Sequence, residues 1–582
     1  MCGIFTVINK NSKPINIEKC RNSLDLMKKR GPDWKVDKLV NNNIYMGQVV
    51  LSMTGDKIKN TSLHYSKTKN FFLLLVGEIY NYDELNSLYL KIKFNTSDTN
   101  ILVNLFEKFP KKKINSFLDG MYAYVLYDKY SNTINISRDF KGEKALYKYE
   151  DNEQIIICSE IKPIIFYIKN IKLNFNILKN YFLTRHFIEF EKTIFKNIHK
   201  IEVGTNTEIN LLNFKIKIID KIELKNFIDA KVFANNEKKN SNDLVEELDF
   251  LLDKNIKQMI PKRRGTASII SGGIDSAITS HYVCKNIKKV FLINLNHIGK
   301  EINSSQIINF EKYLKNKINI FDVNEELYFN NYLKTLNICY TPINSHSFVG
   351  TYILSKIANK NNCRAIFGGE GADELFGGYE TYLNVKNFKI NSSNYTKIIK
   401  NNLFTPSLEQ FKFKKEMSSN WNEFNSSYSF IKKKSEKKIL SMMLMDASMQ
   451  LECNAFKGND LMSMNNSIES RSLFFRNDIL SFALNLPLKF KINFNAPANM
   501  KCKYLLKKLF IKKYDKKLIL TKQGFPGFPN ETKNKIGNFN NFILKKFFKF
   551  SNLKKSYNSD RSVQWKILNT EFFLKKIGYK YL

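Results

Sequence analysis

The fold of the second half of this chain is decided by one stretch, Ala267-Ser268-Ile269-Ile270-Ser271-Gly272-Gly273-Ile274-Asp275-Ser276-Ala277. An apolar, β-branched run enters it, and residues 278–283 continue at helical spacing, which predicts a buried strand, a tight loop and a helix start. The glycines let the backbone approach a ligand closely. The helix directs unpaired N–H groups and the positive end of its dipole into the loop. The stretch therefore predicts a phosphate-binding loop.

This loop differs from the common P-loop, because no Lys-Ser/Thr pair follows its glycines. Asp275 stands there instead, and its carboxylate is a hard oxygen ligand that suits Mg²⁺ bridging phosphates. The pattern is similar to the pyrophosphate loop of enzymes that cleave ATP to AMP and pyrophosphate. We therefore expect ATP and Mg²⁺ as cofactors. The expected ATP contacts in this loop are Ile270, Ser271, Gly272, Gly273, Asp275 and Ser276.

A second strand followed by glycines lies at residues 366–379 and carries three carboxylates within five residues. Crowded carboxylates repel one another unless a cation is present. We expect Asp373 to bind Mg²⁺ together with Asp275, and Gly368 and Gly369 to contact ATP. The turn lacks the third glycine of a dinucleotide-binding fingerprint, so that alternative is discounted.

The sequence Gly-Glu-Gly-Ala-Asp-Glu-Leu-Phe-Gly-Gly-Tyr at 369–379, downstream of the pyrophosphate loop, resembles the asparagine synthetase family. Later segments that fit the same resemblance are 462–471, 503–507 and 522–525. The resemblance implies that Glu370 helps to position the nucleophile and that Lys522 stabilises pyrophosphate as it leaves. One segment departs from the family pattern, because Leu473-Phe474-Phe475-Arg476 replaces Pro-Phe-Leu-Asp.

The N-terminus offers a nucleophile. Removal of Met1 would leave Cys2 with both a thiol and an α-amine, whose pKa of roughly 7.7–8.0 suits a general base. Motifs follow in order at 30–33, 77–81, 97–98, 118–123, 138–147 and 159–162. Together they resemble the glutamine amidotransferase domain of the N-terminal-nucleophile class. The resemblance implies that Cys2 releases ammonia from glutamine, and that Gly77, Glu78 and Asp98 bind the glutamine.

Two positions depart from that amidotransferase pattern. Val50 stands where the family usually has an arginine for the glutamine α-carboxylate, and Val76 replaces the asparagine that donates to the oxyanion. Losing one oxyanion donor costs on the order of 10²–10³ in rate, and losing a bidentate arginine costs orientation. Three alternatives stay open: a slow glutaminase, a site redirected to another amide, and a vestigial site.

The periodicity predicts two domains. Strand-like runs at 44–52, 71–79, 121–127, 132–137 and 155–159, with helical stretches near 17–29 and 97–108, suit two sheets covered by helices. The resemblance makes residues 2–215 an αββα sandwich of the N-terminal-nucleophile hydrolase type. Residues 234–242 read as a polar connection. Over residues 234–582, strands at 289–295, 318–322 and 364–367 alternate with helices, which predicts an α/β parallel-sheet domain of the ATP-pyrophosphatase type with a helical C-terminal part.

Composition limits the partners. The net charge of +39 favours anionic substrates such as ATP, but the lysines are spread over the chain without an arginine-rich arm, so we do not expect nucleic-acid binding. Eight cysteines without a C-x-x-C pair and six histidines without H-E-x-x-H argue against zinc and disulfides and favour the cytoplasm. No apolar run reaches about 18 residues, so no membrane span is expected. A homodimer is compatible with these features.

The function that the sequence predicts is ATP-dependent amidation of a carboxylate, first of all aspartate to asparagine through an acyl-adenylate, with ammonia from glutamine. One alternative is an amide ligase or cyclase, or an amidotransferase for a sugar or peptide carboxylate, that carries a degenerate glutaminase domain. A second alternative is an enzyme that adenylates RNA bases, but such an enzyme would not need the Cys2 domain, and no RNA-binding module is visible.

Overall fold

The computed structural model describes residues 2–11, 13–54, 64–93, 97–183, 191–262, 264–297, 307–383, 407–519, 542–546, 552, 554–555 and 561–578. Within these ranges the strands are Cys2–Asn9 (β1), Trp34–Asn41 (β2), Ile44–Val50 (β3), Phe71–Ile79 (β4), Gly120–Asp128 (β5), Thr133–Arg138 (β6), Tyr147–Glu150 (β7), Gln154–Cys158 (β8), Ile198–Lys200 (β9), Thr205–Asn210 (β10), Ile216–Lys221 (β11), Gly265–Ile269 (β12), Phe291–His297 (β13), Ile318–Val323 (β14), Cys363–Gly368 (β15) and Glu469–Ser472 (β16).

The α-helices in the same ranges are Ile17–Asp25 (α1), Tyr82–Leu85 (α2), Asp98–Lys108 (α3), Lys111–Phe117 (α4), Ile161–Ile168 (α5), Phe175–Asn180 (α6), Ala230–Lys238 (α7), Ser241–Met259 (α8), Ile274–Asn286 (α9), Glu311–Leu314 (α10), Glu325–Cys339 (α11), Ser347–Lys360 (α12), Ala372–Phe376 (α13), Ser407–Ser426 (α14), Lys434–Met445 (α15), Lys457–Met464 (α16), Asn477–Leu484 (α17), Leu488–Lys491 (α18), Tyr504–Lys513 (α19) and Arg561–Phe573 (α20). Among these helices, none combines the length and the apolar content that crossing a bilayer needs.

The N-terminal half is a sandwich of two antiparallel sheets, with strand orders β2-β3-β1-β8-β7-β9 and β11-β10-β6-β5-β4. Side chains alternate along the strands, as the pleat requires. In β1, Cys2, Ile4 and Ile8 join the core between the sheets, whereas Phe5 and Val7 pack outward. Helix α1 covers the first sheet and α3 covers the second. The predicted αββα fold is confirmed.

The C-terminal half contains a parallel sheet with the order β14-β13-β12-β15-β16. Numbered along the chain from β12, this order is 3-2-1-4-5, so the chain reverses direction across the sheet between β12 and β15. Ligands of open α/β sheets bind at such a switch point, beside the carboxyl ends of the strands. The loops after β12 and β15 are the two glycine-rich stretches that the sequence singled out. The predicted α/β fold is therefore also confirmed.

The predicted connection at 234–242 is wrong for most of its length. Residues 230–238 form α7, because the Asp229 side chain accepts hydrogen bonds from the N–H groups of Lys231 and Val232, and Phe233 is buried. Asn240 then caps α8 in the same way. Several of the polar residues that suggested a connection lie on the exposed face of a capped helix.

Lys491 gives a stability prediction. It is 1% exposed, and burial lowers its pKa to about 7. In the unfolded chain the pKa of a lysine is about 10.4. The lowered pKa of Lys491 therefore reduces the free energy of unfolding, most strongly below pH 7 and less as the pH rises toward about 10.4. Lys491→Met is therefore expected to raise the free energy of unfolding by about 4 kcal/mol at pH 7 and about 2 kcal/mol at pH 9, at about 1.4 kcal/mol per tenfold change in proton affinity.

Urea unfolding of both proteins at the two pH values measures this difference. Lys489→Met, in the same helix but at an exposed position, is the control and should change little at either pH. An equal gain for Lys491→Met at pH 7 and pH 9 would contradict the assignment of a neutral buried amine.

Candidate active sites

Cys2 begins β1 and faces the core between the two N-terminal sheets, opposite Val50 of β3. Its side chain is 7% exposed, and burial raises the pKa of the thiol. Hydrogen bonds from the Leu51 backbone and the Gln48 side chain oppose that effect. Gln48 also donates to the Leu75 carbonyl at 2.7 Å and accepts from the Leu75 N–H at 3.2 Å, so it joins the two sheets beside the nucleophile. Gln48 lies in an ordinary strand pattern, so nothing in the sequence pointed to this role.

Two of the predicted glutamine-binding residues lie near Cys2. Gly77 has a φ of +104°, and a Cβ there would lie 1.8 Å from the Met121 carbonyl oxygen, so only glycine fits. The Asp98 carboxylate accepts hydrogen bonds from the Thr54 hydroxyl at 2.7 Å and from the Ile79 N–H at 3.2 Å. Burial raises the pKa of Asp98, and its negative charge adds to the raised pKa of Cys2. Asp98 therefore acts on Cys2 through its charge, and Gly77 follows Val76, which shares the core cluster of Cys2.

The third predicted residue, Glu78, directs its side chain into the other half of the chain. It accepts a hydrogen bond from Arg471 at 2.5 Å, and Arg471 lies 2.7 Å from Glu469. All three side chains are buried. Burial raises the pKa of Glu78, while for Glu469 the Arg471 guanidinium outweighs burial and holds the pKa below its usual range. The Glu78 carboxylate thus links the amidotransferase half to β16.

The two departures from the amidotransferase pattern both lie in the apolar core around the nucleophile. Val50 and Val76 are buried in the same cluster as Cys2. These positions therefore present methyl groups near the thiol, where the family pattern has a guanidinium and an amide.

The predicted phosphate loop is held by its own hydroxyl groups. Gly272 has a φ of +82°, which favours glycine. The Ser276 hydroxyl accepts from the Ser271 N–H at 3.1 Å and donates to the Gly273 carbonyl at 2.9 Å. Ile270 is fixed to the sheet, because its N–H donates to the Ile293 carbonyl at 2.9 Å. The loop is therefore shaped before any ligand arrives, with the α9 N-terminus behind it.

The loop after β15 packs directly on the phosphate loop. A Cβ at Gly369 would lie 2.6 Å from the Asp275 Cβ, and one at Gly368 would lie 2.2 Å from the Glu370 carboxylate. Burial raises the pKa of Glu370, and the charge of Asp275 adds to the shift. Among the described residues, Glu370 Oε2 has no hydrogen-bond partner. The switch point thus holds a half-buried glutamate, one carboxylate oxygen of which is buried without a hydrogen-bond partner.

Lys503 is the residue that sequence reasoning missed at this site. It forms ion pairs with Asp275 and, at 2.6 Å, with Asp373, and its side chain is 8% exposed. Burial would lower the pKa of Lys503, but the two carboxylates outweigh it and raise the pKa. The sequence named 503–507 only as part of a resemblance, and one lysine among so many gave no further signal. Lys522, the predicted pyrophosphate contact, lies outside the described residues.

The donor set at this position fits Mg²⁺. Asp275 and Asp373 both reach one cation, the Lys503 ammonium. Mg²⁺ is commonly held by one or two carboxylates together with substrate phosphates and water. Over the described ranges no cluster of three or more His, Cys, Asp and Glu side chains could hold a metal.

Buried ion pairs join the two halves. The Arg30 guanidinium donates to Asp460 at 2.9 and 3.1 Å, and Arg138 donates to Glu452 at 2.7 Å. Arg476, the basic residue in the segment that departs from the family pattern, lies 2.8 Å from Asp119. Burial would raise the pKa of Asp119, but Arg476 and Lys141 hold it below its usual range. The departure therefore adds a contact between the halves.

Comparisons with known proteins identify the families that the two halves match. The sequence model of the glutamine amidotransferase domain family matches residues 1–217, and that of the asparagine synthase family matches residues 247–563. The chain is 27% identical over 416 residues to a putative asparagine synthetase [glutamine-hydrolyzing] 2 of Methanocaldococcus jannaschii, covering 66% of this chain and 76% of the relative.

Two further relatives are more distant. Asparagine synthetase [glutamine-hydrolyzing] 2 of Bacillus subtilis is 25% identical, and the match covers 66% of this chain and 53% of the relative. Amidase chry2 of Gibberella zeae is 22% identical, with 66% of this chain and 60% of the relative covered. Among solved structures, glutamine phosphoribosylpyrophosphate amidotransferase from B. subtilis is 12% identical, with a TM-score of 0.30 over 55% of this chain and 81% of that chain.

Proposed function

Since this chain belongs to the asparagine synthase family, we propose that it converts aspartate to asparagine with ATP, using ammonia released from glutamine. The observation that carries the proposal is the meeting of Asp275, Asp373 and Lys503 at the switch point of the parallel sheet, directly beside the glycine-rich loop. Two of the relatives above are named asparagine synthetases, which favours aspartate over a sugar or peptide carboxylate as the acceptor.

In the synthetase half, the loop from Ser271 to Ser276 and the N-terminus of α9 would bind the ATP phosphates. Asp275 and Asp373 would hold Mg²⁺, which supplies positive charge to the departing pyrophosphate when it is bound. Lys503 would add a second positive charge at the same place. The aspartate side-chain carboxylate would then attack the α-phosphorus, forming an acyl-adenylate as the bond to pyrophosphate breaks.

Ammonia would attack the carbonyl carbon of the acyl-adenylate, and AMP would leave. The attacking nitrogen must lose a proton in this step. Glu370 is proposed to accept it, because its raised pKa brings it toward the range that suits a general base, and one of its oxygens is available. Its burial would also keep water from the reactive intermediate.

In the amidotransferase half, the Cys2 thiol would attack the glutamine side-chain amide to release ammonia, leaving a thioester that water hydrolyses. Asp98 would hold the substrate amine, and the backbone at Gly77 would line the site. With Val50 and Val76 in place of polar groups, the glutaminase is expected to be slower than the synthetase. The buried interface between the halves would let ammonia pass without meeting bulk water.

The test uses the purified chain with ATP, Mg²⁺, aspartate and ammonium chloride, so that the glutaminase does not limit the result. Asparagine, AMP and pyrophosphate are expected in equal amounts, measured by mass spectrometry and by pyrophosphate release. Glutamate, which has the same charge as aspartate, and β-alanine, which lacks the α-carboxylate, serve as comparison acceptors and should be poor substrates. Pyrophosphate release that does not depend on aspartate, or faster product formation from another carboxylate, would contradict the proposed acceptor.

A further inference from the structure

A basic cavity lies at the opposite edge of the parallel sheet from the ATP loop. It has a volume of about 560 Å³ and is lined by the start of β12, the ends of α8 and α9, and the residues that follow those two helices. Five of its lining side chains are cationic: Lys257, Lys262, Arg264, Lys288 and Lys289. Among the described residues that line it, none carries a carboxylate. The cavity is therefore separate from the switch point and positively charged.

Neighbouring carboxylates form ion pairs with three of these five cationic side chains. Lys257 pairs with Asp253 at 2.6 Å, Lys262 with Asp83 at 2.8 Å and Arg264 with Asp33 at 2.6 Å. Within the described part of the chain, Lys288 and Lys289 have no ion-pair partner, and both are exposed. Two adjacent free ammonium groups thus stand at the edge of a concave site that already contains a half-buried guanidinium.

A second observation points to a ligand. Thr266 of β12 lines the cavity and is 4% exposed, yet its hydroxyl has no hydrogen-bond partner among the described residues. Buried hydroxyl groups are normally hydrogen-bonded, and one that is not needs an explanation. A ligand atom that accepts this hydroxyl would supply one.

We propose that this cavity binds a small organic phosphate, of which a nucleoside diphosphate is the representative, at a site distinct from the ATP loops. Lysine ammonium and arginine guanidinium groups recognise phosphate oxygens. The volume lies within the range of small-molecule sites, roughly 300–1,000 Å³. Ile260, Pro261 and Ile287 provide apolar surface for the unphosphorylated part of the molecule. This site is assigned independently of the amidation activity.

Arg264 connects the site with the amidotransferase half. Its Nε donates to the Ser52 carbonyl at 3.0 Å, and the Asp33 carboxylate that it contacts accepts from the Ser52 N–H at 2.9 Å. Ser52 follows Leu51, whose backbone hydrogen-bonds to the Cys2 thiol. A phosphate in the cavity would thus lie beside the residue that holds this loop.

The test is equilibrium binding of ADP to the full chain at physiological salt without Mg²⁺. Lys288→Glu combined with Lys289→Glu is expected to weaken binding at least tenfold, and Thr266→Val severalfold. The matched control is Lys432→Glu combined with Lys433→Glu, an adjacent exposed pair that does not line the cavity; it should change binding less than twofold. Pyrophosphate should bind more weakly than ADP because it lacks the apolar part.

Several results would overturn the proposal. If ADP does not bind, there is no site in the cavity. The same follows if ADP binding is lost in Asp275→Asn but kept in the Lys288/Lys289 variant. Equal loss in the two double-lysine variants would mean non-specific attraction by a basic protein. If pyrophosphate binds as tightly as ADP, the cavity does not recognise the organic part of the ligand. If transfer RNA displaces ADP with a steep salt dependence, the surface binds nucleic acid instead.

Discussion

Asp275→Asn is expected to reduce aspartate-dependent pyrophosphate release by a factor of about 10²–10³, the scale of removing one electrostatic group that acts in the transition state. Asp275 lies in the first turn of α9, contacts Lys503 and packs against Gly369. Asparagine keeps the shape of the side chain but removes the charge that would bind Mg²⁺. The loss should be the same with glutamine and with ammonium chloride, because both nitrogen sources need the acyl-adenylate.

The matched control is Asp243→Asn, the same change in the first turn of α8, where the aspartate is exposed and remote from both glycine loops. It should leave the rate within about twofold, since exposed substitutions usually have small effects. If Asp275→Asn retained most of its activity at saturating ATP and Mg²⁺, Asp275 would not bind the metal, and the position of the ATP site would be wrong.

Cys2→Ala is expected to abolish glutamine-dependent asparagine formation, with a loss of at least about 10³-fold, because removing a catalytic nucleophile usually costs that much or more. The ammonia-dependent rate should stay within about twofold of the unmodified protein, since the described residues that form the core around Cys2 all belong to the N-terminal half. The measurement is asparagine formed per minute with each nitrogen source.

Cys20→Ala is the control for this variant. Cys20 is also buried in the N-terminal half, but it lies on α1, outside the core between the sheets. It should leave both rates nearly unchanged. Glutamine-dependent synthesis that survives in Cys2→Ala would show that another group releases ammonia. A protein that uses ammonia but never glutamine would show that Val50 and Val76 have made the site vestigial.

The sequence was informative wherever chemistry and backbone geometry are local. The phosphate loop and the second glycine turn were identified from the residues themselves, because each combines glycines with a hydroxyl or a carboxylate directly after a strand, whereas Gly77 was named only through the resemblance. The alternation of strand-like and helical stretches along the chain also predicted two sheets covered by helices in the first half and a parallel sheet in the second. The domain boundaries at 215 and 234 stay predictions, as do the roles assigned to the site residues.

Contacts between distant residues could not be predicted in this way. Lys503 meets Asp275 across 228 residues, and Arg471 meets Glu78 across 393 residues. Nothing in the spacing of one sequence indicates such a pair, and each partner resembles many other charged residues in the chain. The helix in the predicted connection at 234–242 was missed for a different reason. It is stabilised by one capping aspartate, Asp229, and one buried phenylalanine, Phe233, which are weak signals in a polar stretch.

The ion pairs between the halves have a consequence for how this chain is synthesised. Arg30 pairs with Asp460, 430 residues later, and Glu78 pairs with Arg471, 393 residues later. At about 5–20 residues per second, translation leaves the first half without these partners for roughly 20–90 s. Arginine and glutamate side chains that are buried in the finished protein face solvent or a chaperone during that time. If the N-terminal sandwich folds during translation, its surface therefore carries charged side chains that still lack their partners. A ribosome that stalls between the two halves would then favour aggregation of the N-terminal half.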